Sequence, residues 1–213
     1  MFSLEDGIKT VKYSRIVIQS ILKNEKIELD NLDNFFSEKF GVFVTIHKFP
    51  NNNLRGCMGI PNPIMSLKDS IFEASKSVIR DPRFPPLSEN ELDNIIIEVT
   101  ILSKPTKILI SEPEDYLKQI KIGRDGLIIE NGFNKGLLLP QVPIEQSWNI
   151  NEYLENICLK AGLPSNSWKN RESIIYKFFG QVFAEIKPKG EIKEKKLDGF
   201  NGWRKDIFRW KFN

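Results

Sequence analysis

The residues with the clearest chemical potential lie in the segment NNNLRGCMGIPNP, residues 51–63, which follows an apolar run. Cys57 is one of only two cysteines in the chain. A cysteine becomes a nucleophile when a cation or a helix terminus lowers its pKa and when it is partly exposed. In a strand Arg55 and Cys57 point to the same face, which suits a thiolate stabilised by a guanidinium. Cys57 is therefore the candidate catalytic residue, with a small buried hydrophobe as the alternative.

A nucleophilic cysteine needs a base, and His47 is the sole histidine of the chain. The simplest hairpin around the asparagine turn pairs Phe49 with Leu54. This register places Cys57 opposite Ile46, on the face away from His47. The expected geometry thus disfavours a Cys–His pair, although a slip of one residue would bring the two side chains together.

Arginine offers a second kind of chemistry, because its planar fork of donors suits carboxylates and phosphates. Arg55 and Arg83, the latter in the segment DPRF, are the candidates for holding an anion, and Gly56 would allow a ligand to approach the backbone closely. Glu98 stands inside the apolar segment IIIEVTIL, where a carboxylate must be paired or protonated. We expect Glu98 to pair with Arg55 or Arg83, with an acid–base role as the alternative.

The elements that position these residues follow from the apolar pattern. Helical spacing of apolar residues predicts helices over 8–22 and 67–78. Runs of β-branched and aromatic residues predict strands over 41–49, 54–60 and 95–102. Antiparallel hairpins mixed with helices, without regular β–α–β alternation, predict an α+β fold with a mainly antiparallel sheet and flanking helices.

The net charge of +3 is distributed unevenly along the chain. From residue 187 to residue 213, nine Lys and Arg residues stand against four Asp and Glu, so the basic character belongs to the C-terminus. Aromatic residues alternate with basic ones there, a pattern that suits nucleic acid or packing on the body or across a dimer. We expect a domain over 1–190 and a basic, aromatic tail over 191–213.

Several segments, in order, resemble the AMMECR-type domain family, which is named after a human chromosomal region linked to Alport syndrome, midface hypoplasia and elliptocytosis. The matching segments are GVFVTIHK, LRGCMG, DPRFPPLSENELDNIIIEVTIL, IGRDGLIIENG, GLLLPQV, Glu145 with Trp148, and CLKAGLP. The resemblance implies a mixed structure with a larger and a smaller lobe, and it adds Gln141 and Glu145 to the candidate ligand-binding residues. In microbes the family is associated with Memo-type and radical S-adenosylmethionine proteins, which implies a shared pathway.

Composition excludes several classes of protein. The 213 residues are 40% hydrophobic, with no apolar run long enough to span a membrane and no secretory signal, so we expect a globular protein without a membrane segment. Two separated cysteines favour a reduced, cytoplasmic setting. One histidine and two cysteines cannot supply a closed zinc site, and no glycine-rich phosphate loop is present, so we expect no metal and no cofactor.

The leading hypothesis is a cytoplasmic protein with an anionic-ligand cleft around Arg55, Cys57 and Arg83. It would act as an enzyme or as an accessory factor in a modification pathway, with a small anionic molecule as its ligand. The first alternative is a non-catalytic binding module for RNA or a protein partner, although nucleic acid is not the favoured ligand. The second alternative is a structural homodimer held together by the tail.

Overall fold

The structure, a computed structural model, describes residues 1–27 and 34–195, including every side chain except that of Glu145. Its helices and strands, in chain order, are α1 (Leu4–Lys23), β1 (Gly41–Lys48), β2 (Asn53–Ile60), α2 (Leu67–Val78), β3 (Ile95–Leu102), β4 (Thr106–Lys107), α3 (Asp115–Gln119), β5 (Asp125–Asn131), β6 (Asn134–Leu138), α4 (Val142–Glu145), α5 (Ile150–Lys160), β7 (Ile174–Glu185) and β8 (Ile192–Lys195). The pairings of β1 with β2 and β3, of β5 with β6 and β7, and of β7 with β4 and β8 are antiparallel. The predicted α+β fold is confirmed.

The chain divides into two compact units. The described part of the larger unit comprises residues 1–27, 34–102 and 181–195, and that of the smaller unit comprises residues 103–180. This division confirms the larger and smaller lobes that the family resemblance implies. The predicted start of the tail precedes β8, which pairs with β7 in the larger unit. The remainder of the predicted tail, 196–213, lies outside the described residues.

Helix α1 begins earlier than its apolar spacing predicts, because a capping box fixes its first turn. The Asp6 N–H donates to Ser3 Oγ at 3.1 Å, and the Ser3 N–H donates to Asp6 Oδ2 at 2.9 Å. The helix ends at Lys23, and the C-cap residue Asn24 has a left-handed φ of 55°. Among the residues described, no helix is long and apolar enough to cross a membrane.

The larger unit contains the strand order β2–β1–β3–β7–β8, with the C-terminal part of β7 as its share of that strand. One face of β1 and β3 joins α1 and α2 in a single apolar core. The residues that this face contributes from the two strands are Val42, Val44, Ile46, Ile95, Ile97, Val99 and Ile101. Because strand side chains alternate, the opposite face carries the polar residues Thr45, His47 and Glu98.

The smaller unit builds its own core around α5. In it β7 pairs with β5 along one edge and with the two-residue strand β4 along the other, and β6 pairs with β5. Tyr153, Leu154 and Ile157 of α5 are fully buried against these strands. The Tyr153 hydroxyl donates to the backbone oxygen of Asp125 at 3.1 Å, which satisfies its polar end.

A buried ion pair joins α1 to β7 in the larger unit. Arg15 is 6% exposed and Glu185 is 4% exposed. The Arg15 guanidinium donates through Nε and Nη2 to the Glu185 carboxylate, and further to the carbonyl oxygens of Leu92 at 3.1 Å and Ile95 at 2.9 Å. The Ile97 N–H donates to Glu185 Oε2 at 2.9 Å. These bonds supply the geometry that a desolvated pair needs in order to be stable.

We expect the substitution Glu185→Ala to lower the free energy of unfolding by about 3–5 kcal/mol, because it leaves a buried guanidinium without its counter-charge. Urea denaturation followed by circular dichroism measures this change. The matched control is Asp93→Ala, which removes an exposed partner of Lys189 and should leave the free energy of unfolding nearly unchanged. Equal losses in the two variants would contradict an anchoring role for Glu185.

Candidate functional site

Cys57 lies on β2, an edge strand of the sheet. The hairpin closes with Lys48 opposite Asn53, one residue earlier than predicted. Arg55 then forms a bulge without a partner on β1, so that Cys57 pairs with Thr45. The predicted register, which placed the cysteine and the sole histidine on opposite faces, is therefore wrong. Cys57 shares its face with the polar residues of β1.

The backbone of Cys57 is bonded on its outer side by two charged side chains of the segment that follows α2. The Cys57 N–H donates to Asp81 Oδ2 at 2.8 Å, and Arg83 Nη2 donates to the Cys57 carbonyl oxygen at 3.1 Å. Arg83 also donates to both oxygens of Asp81, through Nε at 3.0 Å and Nη2 at 2.6 Å. We call this pair the Asp81–Arg83 clamp. It occupies the two backbone groups that a further strand would otherwise pair.

The clamp carries its own electrostatic support. Burial by itself would raise the pKa of Asp81, but hydrogen bonds from Arg83 and from the Cys57 N–H outweigh it and hold the pKa below its usual value. The hydrogen bond to Asp81 raises the pKa of Arg83 in turn. The Asp81 side chain is 1% exposed and that of Arg83 is 31% exposed, so the carboxylate is the buried partner. Arg83 thus ties its loop to the core through a carboxylate.

The Cys57 thiol lies on the inner side of this arrangement. Its residue is fully buried, and Thr45 Oγ1 donates to Cys57 Sγ at 3.2 Å. Burial raises the pKa of the thiol to about 12, and the hydrogen bond from Thr45 opposes this shift only in part. A thiol in this state is a poor nucleophile near neutral pH, because the thiolate is the reactive form.

Glu98 lies beside Thr45 in the ladder between β1 and β3, on the same face as the thiol. Lys195 of β8 donates from Nζ to Glu98 Oε2 at 2.7 Å. The expected pairing of Glu98 with Arg55 or Arg83 is therefore corrected, since each of those arginines bonds a different carboxylate. The counter-charge of Glu98 comes instead from Lys195 of β8, the last strand of the described chain.

His47 lies within the same polar face, 1% exposed, with Nε2 at 3.8 Å from Glu98 Oε2. Burial lowers the pKa of His47; Glu98 opposes this shift and Lys195 adds to it. Within residues 1–27 and 34–195, neither ring nitrogen makes a hydrogen bond. His47 is thus a buried imidazole that disfavours protonation.

The side chain of Arg55, the bulged residue, bonds the segment between α2 and β3. It donates to Glu91 in bidentate fashion, through Nε at 2.8 Å and Nη2 at 2.9 Å, and to the Pro86 carbonyl oxygen at 3.3 Å. Glu91 also accepts from the Ser88 N–H at 3.0 Å, which completes the capping box of the 3₁₀ turn Glu89–Asn94. The hydrogen bonds from Arg55 lower the pKa of Glu91.

The two glycines of the motif permit close packing around the edge strand. A Cβ on Gly56 would lie 2.9 Å from the carbonyl oxygen of Val78, at the end of α2. A Cβ on Gly59 would lie 2.5 Å from the carbonyl oxygen of Val42 and would overlap the Phe43 ring. Larger residues at these positions would push β2 away from its neighbours, so the glycines serve the packing of this edge.

The remaining predicted ligand-binding residues, Gln141 and Glu145, belong to the smaller unit. Gln141 immediately precedes α4, is half-buried, and makes no side-chain capping bond to that helix. Glu145 is the last residue of α4. Trp148, from the same stretch, packs against the apolar core of this unit, in keeping with a structural role.

Sequence reasoning missed three partners that complete the surroundings of the motif. Thr45 bonds the thiol, Glu91 bonds Arg55, and Lys195 bonds Glu98. The role of Glu91 could have been anticipated in part, because the segment SENE indicates a capping box. No sequence pattern indicates the role of Lys195, which lies far along the chain in the segment assigned to the tail.

The fold and these contacts define an α+β protein in which the residues of the LRGC motif bond the edge of a sheet. The model of the AMMECR1 family matches residues 11–183, and the chain belongs to that family, which confirms the resemblance. It is similar to protein MJ0810 of Methanocaldococcus jannaschii, at 50% identity over 198 residues that cover 92% of this chain and 98% of that protein. Protein MK0488 of Methanopyrus kandleri is 43% identical over 198 residues, covering 92% and 96%.

A solved structure gives the same result. The crystal structure of the uncharacterized protein PH0010 from Pyrococcus horikoshii is similar with a TM-score of 0.75. Its sequence is 41% identical, and the match covers 92% of this chain and 98% of that chain. The family and the fold are therefore shown by sequence and by structure.

The clamp predicts a specific effect of Asp81→Asn. The amide removes the charge opposite Arg83 and one acceptor, so we expect the free energy of unfolding to fall by about 2 kcal/mol at pH 7. Amide exchange at Cys57 should accelerate as well. Because the pKa of folded Asp81 is depressed, its stabilisation is complete above about pH 4 and is lost as the pH falls through the lower, folded value. Urea denaturation at neutral and acidic pH should show the difference from wild type shrinking with acid.

The control for that measurement is Glu73→Gln, which removes an exposed carboxylate 3.9 Å from Lys76. It should change neither the stability nor the amide exchange at Cys57. A wild-type advantage over Asp81→Asn that stays constant down to pH values well below the unfolded pKa of an aspartate would contradict the clamp.

His47, the sole histidine, provides a direct probe of the polar face. Nuclear magnetic resonance titration should give a pKa below the usual value of about 6.5. In Lys195→Met the pKa should rise, because a cation is lost and the Glu98 carboxylate then favours the imidazolium. Lys193→Met, which removes an exposed partner of Glu191, is the control and should leave the titration unchanged. An unaltered His47 pKa in Lys195→Met would refute this electrostatic coupling.

Proposed function

We propose that this chain is a non-catalytic binding module that holds an anionic ligand as an accessory factor, without nucleophilic chemistry at Cys57. The observation that carries the proposal is the surroundings of that cysteine. Its backbone is bonded by the Asp81–Arg83 clamp, its thiol accepts from Thr45, and the residue is fully buried. A cysteine with these contacts has the surroundings of a structural residue.

The arginines beside the motif support the same reading. Arg55 is bidentate with Glu91, and Arg83 is bidentate with Asp81. An anion that approached the motif would compete with these carboxylates for the same guanidinium donors, and displacing a buried carboxylate from its partner is unfavourable. The LRGC motif therefore stabilises the sheet edge, and the ligand binds at another surface of the protein.

Two of the sequence-based alternatives depend on the C-terminal tail. RNA binding and a tail-mediated homodimer both invoke residues 196–213, which lie outside the described residues. A cytoplasmic setting and a place in a modification pathway belong to the proposal as expectations from the sequence and the family resemblance. Neither is needed for the test of Cys57.

The test is the rate of Cys57 alkylation by iodoacetamide in the folded, full-length protein at pH 8. With a thiol pKa near 12, alkylation should be at least about a thousandfold slower than in urea, where the pKa returns to about 8.5. Peptide mass mapping separates Cys57 from Cys158, whose pKa is also raised by burial, to about 11.

Asp81→Asn serves as the matched variant for access. Alkylation of Cys57 should accelerate in it, because weakening the clamp lets the edge strand open more often. Glu73→Gln should react at the wild-type rate. Fast alkylation of the folded wild type, with a pH profile centred well below that of a free thiol, would overturn the proposal and restore a catalytic cysteine.

A further inference from the structure

The smaller unit contains a cleft of about 300 Å³ whose walls come from two segments, residues 107–111 and 169–174. The first segment begins with the last residue of β4 and stays beside β7 through Ile108, whose N–H donates to the Ile175 carbonyl oxygen at 2.9 Å. At the next residue, Gln119 of α3 donates to the carbonyl oxygen of Leu109 at 2.7 Å. The second segment is the turn that leads into β7. The cleft lies between these two segments.

The cleft combines an apolar floor with an accessible rim. Ile108 and Tyr116 line it and are each only 2% exposed. Ile174 is half-buried, and Leu109 is 75% exposed, so an apolar side chain on the rim is open to a ligand. The volume corresponds to the lower end of the range of about 300–1,000 Å³ that is typical of small-molecule sites.

Three exposed cations line the cleft, Lys107, Lys169 and Arg171. None of the described residues lining it is acidic. No carboxylate in the described part of the chain forms an ion pair with Lys107 or Arg171, and Lys169 Nζ lies 5.1 Å from the centre of the Trp168 ring. A concave site lined by positive charges attracts anions, and the fork of donors of an arginine matches a carboxylate or a phosphate.

We infer that this cleft binds a small organic anion, with its carboxylate or phosphate held by Lys169 and Arg171 and its apolar body lying on Ile108 and Ile174. The inference rests on the proposed function of the chain as a binder of an anionic ligand, and it names the site and the ligand class. A nucleic acid is the less suitable occupant. Tyr116, the only aromatic residue in the described lining, is buried and offers no stacking platform.

The experiment is a titration of the full-length protein, isotope-labelled at the isoleucine methyl groups, with four probes of similar apolar size. Phenylbutyrate and phenylbutyl phosphate carry the two anionic groups, and phenylbutanol and phenylbutylamine are the neutral and cationic controls. We expect both anions to shift the methyl signals of Ile108 and Ile174 saturably, and the alcohol and amine to bind at least about tenfold more weakly. The tighter of the two anions identifies the charged group that the cleft prefers.

Charge-removing variants locate the contact. Arg171→Gln and Lys169→Gln, both at exposed positions, should each weaken anion binding at least about fivefold and leave the unfolding transition unchanged. Arg80→Gln is the matched control, since Arg80 is an exposed arginine of the larger unit outside the cleft. Its binding curve should coincide with that of the wild type.

The possible results separate this inference from the proposed function. Equal binding of the alcohol and the anions, no saturable shift up to about 10 mM, or unchanged affinity in both cleft variants would overturn the cleft as an anion site. Anion binding with shifts confined to the larger unit would overturn the cleft but keep the proposed non-catalytic binder. A reactive Cys57 together with anion binding at Ile108 and Ile174 would support the cleft while overturning the proposed function.

Discussion

The outer edge of β2 is the constraint around which the larger unit is arranged. An edge strand presents backbone donors and acceptors that no neighbouring strand satisfies, and it invites pairing with other chains. Here one carboxylate and one guanidinium, Asp81 and Arg83, bond the N–H and the C=O of Cys57. The bulge at Arg55 increases the local twist and sends that side chain to Glu91. The segments LRGCMG and DPRF are thus two halves of one structure.

This relationship explains what could and could not be predicted from the sequence. Helices and strands with strong periodicity were predicted within a few residues, and the family was identified from its segments. The pairing of Cys57 was not, because the register depends on a bulge at Arg55 that no local turn signal indicates. The partner of Glu98 was missed for a different reason. Lys195 reaches it from β8, and contacts between residues so distant in sequence leave no local pattern.

The arginines that are bonded within the larger unit and the cations of the cleft have different partners. In the larger unit Arg15, Arg55 and Arg83 are each bonded to a carboxylate in bidentate geometry. Each of these positive charges is therefore balanced by a carboxylate of the same chain. In the smaller unit, Lys107 and Arg171 border a concave apolar surface without an ion pair among the described residues. Arginine in a sequence motif is therefore a weak guide to a ligand site. Its partners in the structure decide whether the charge is available.

The same reasoning accounts for a cysteine at position 57 without a reaction. The space between the clamp and Thr45 is fully buried, and it needs a small side chain that tolerates loss of solvent. A serine hydroxyl there would require its own hydrogen-bond partners, whereas a thiol is a weak donor that can remain unbonded at little cost. An alanine would leave the Thr45 hydroxyl without the acceptor it now has in Sγ. Cysteine combines apolar character, small size and a weak acceptor, and these properties suit this position with the thiol protonated near neutral pH.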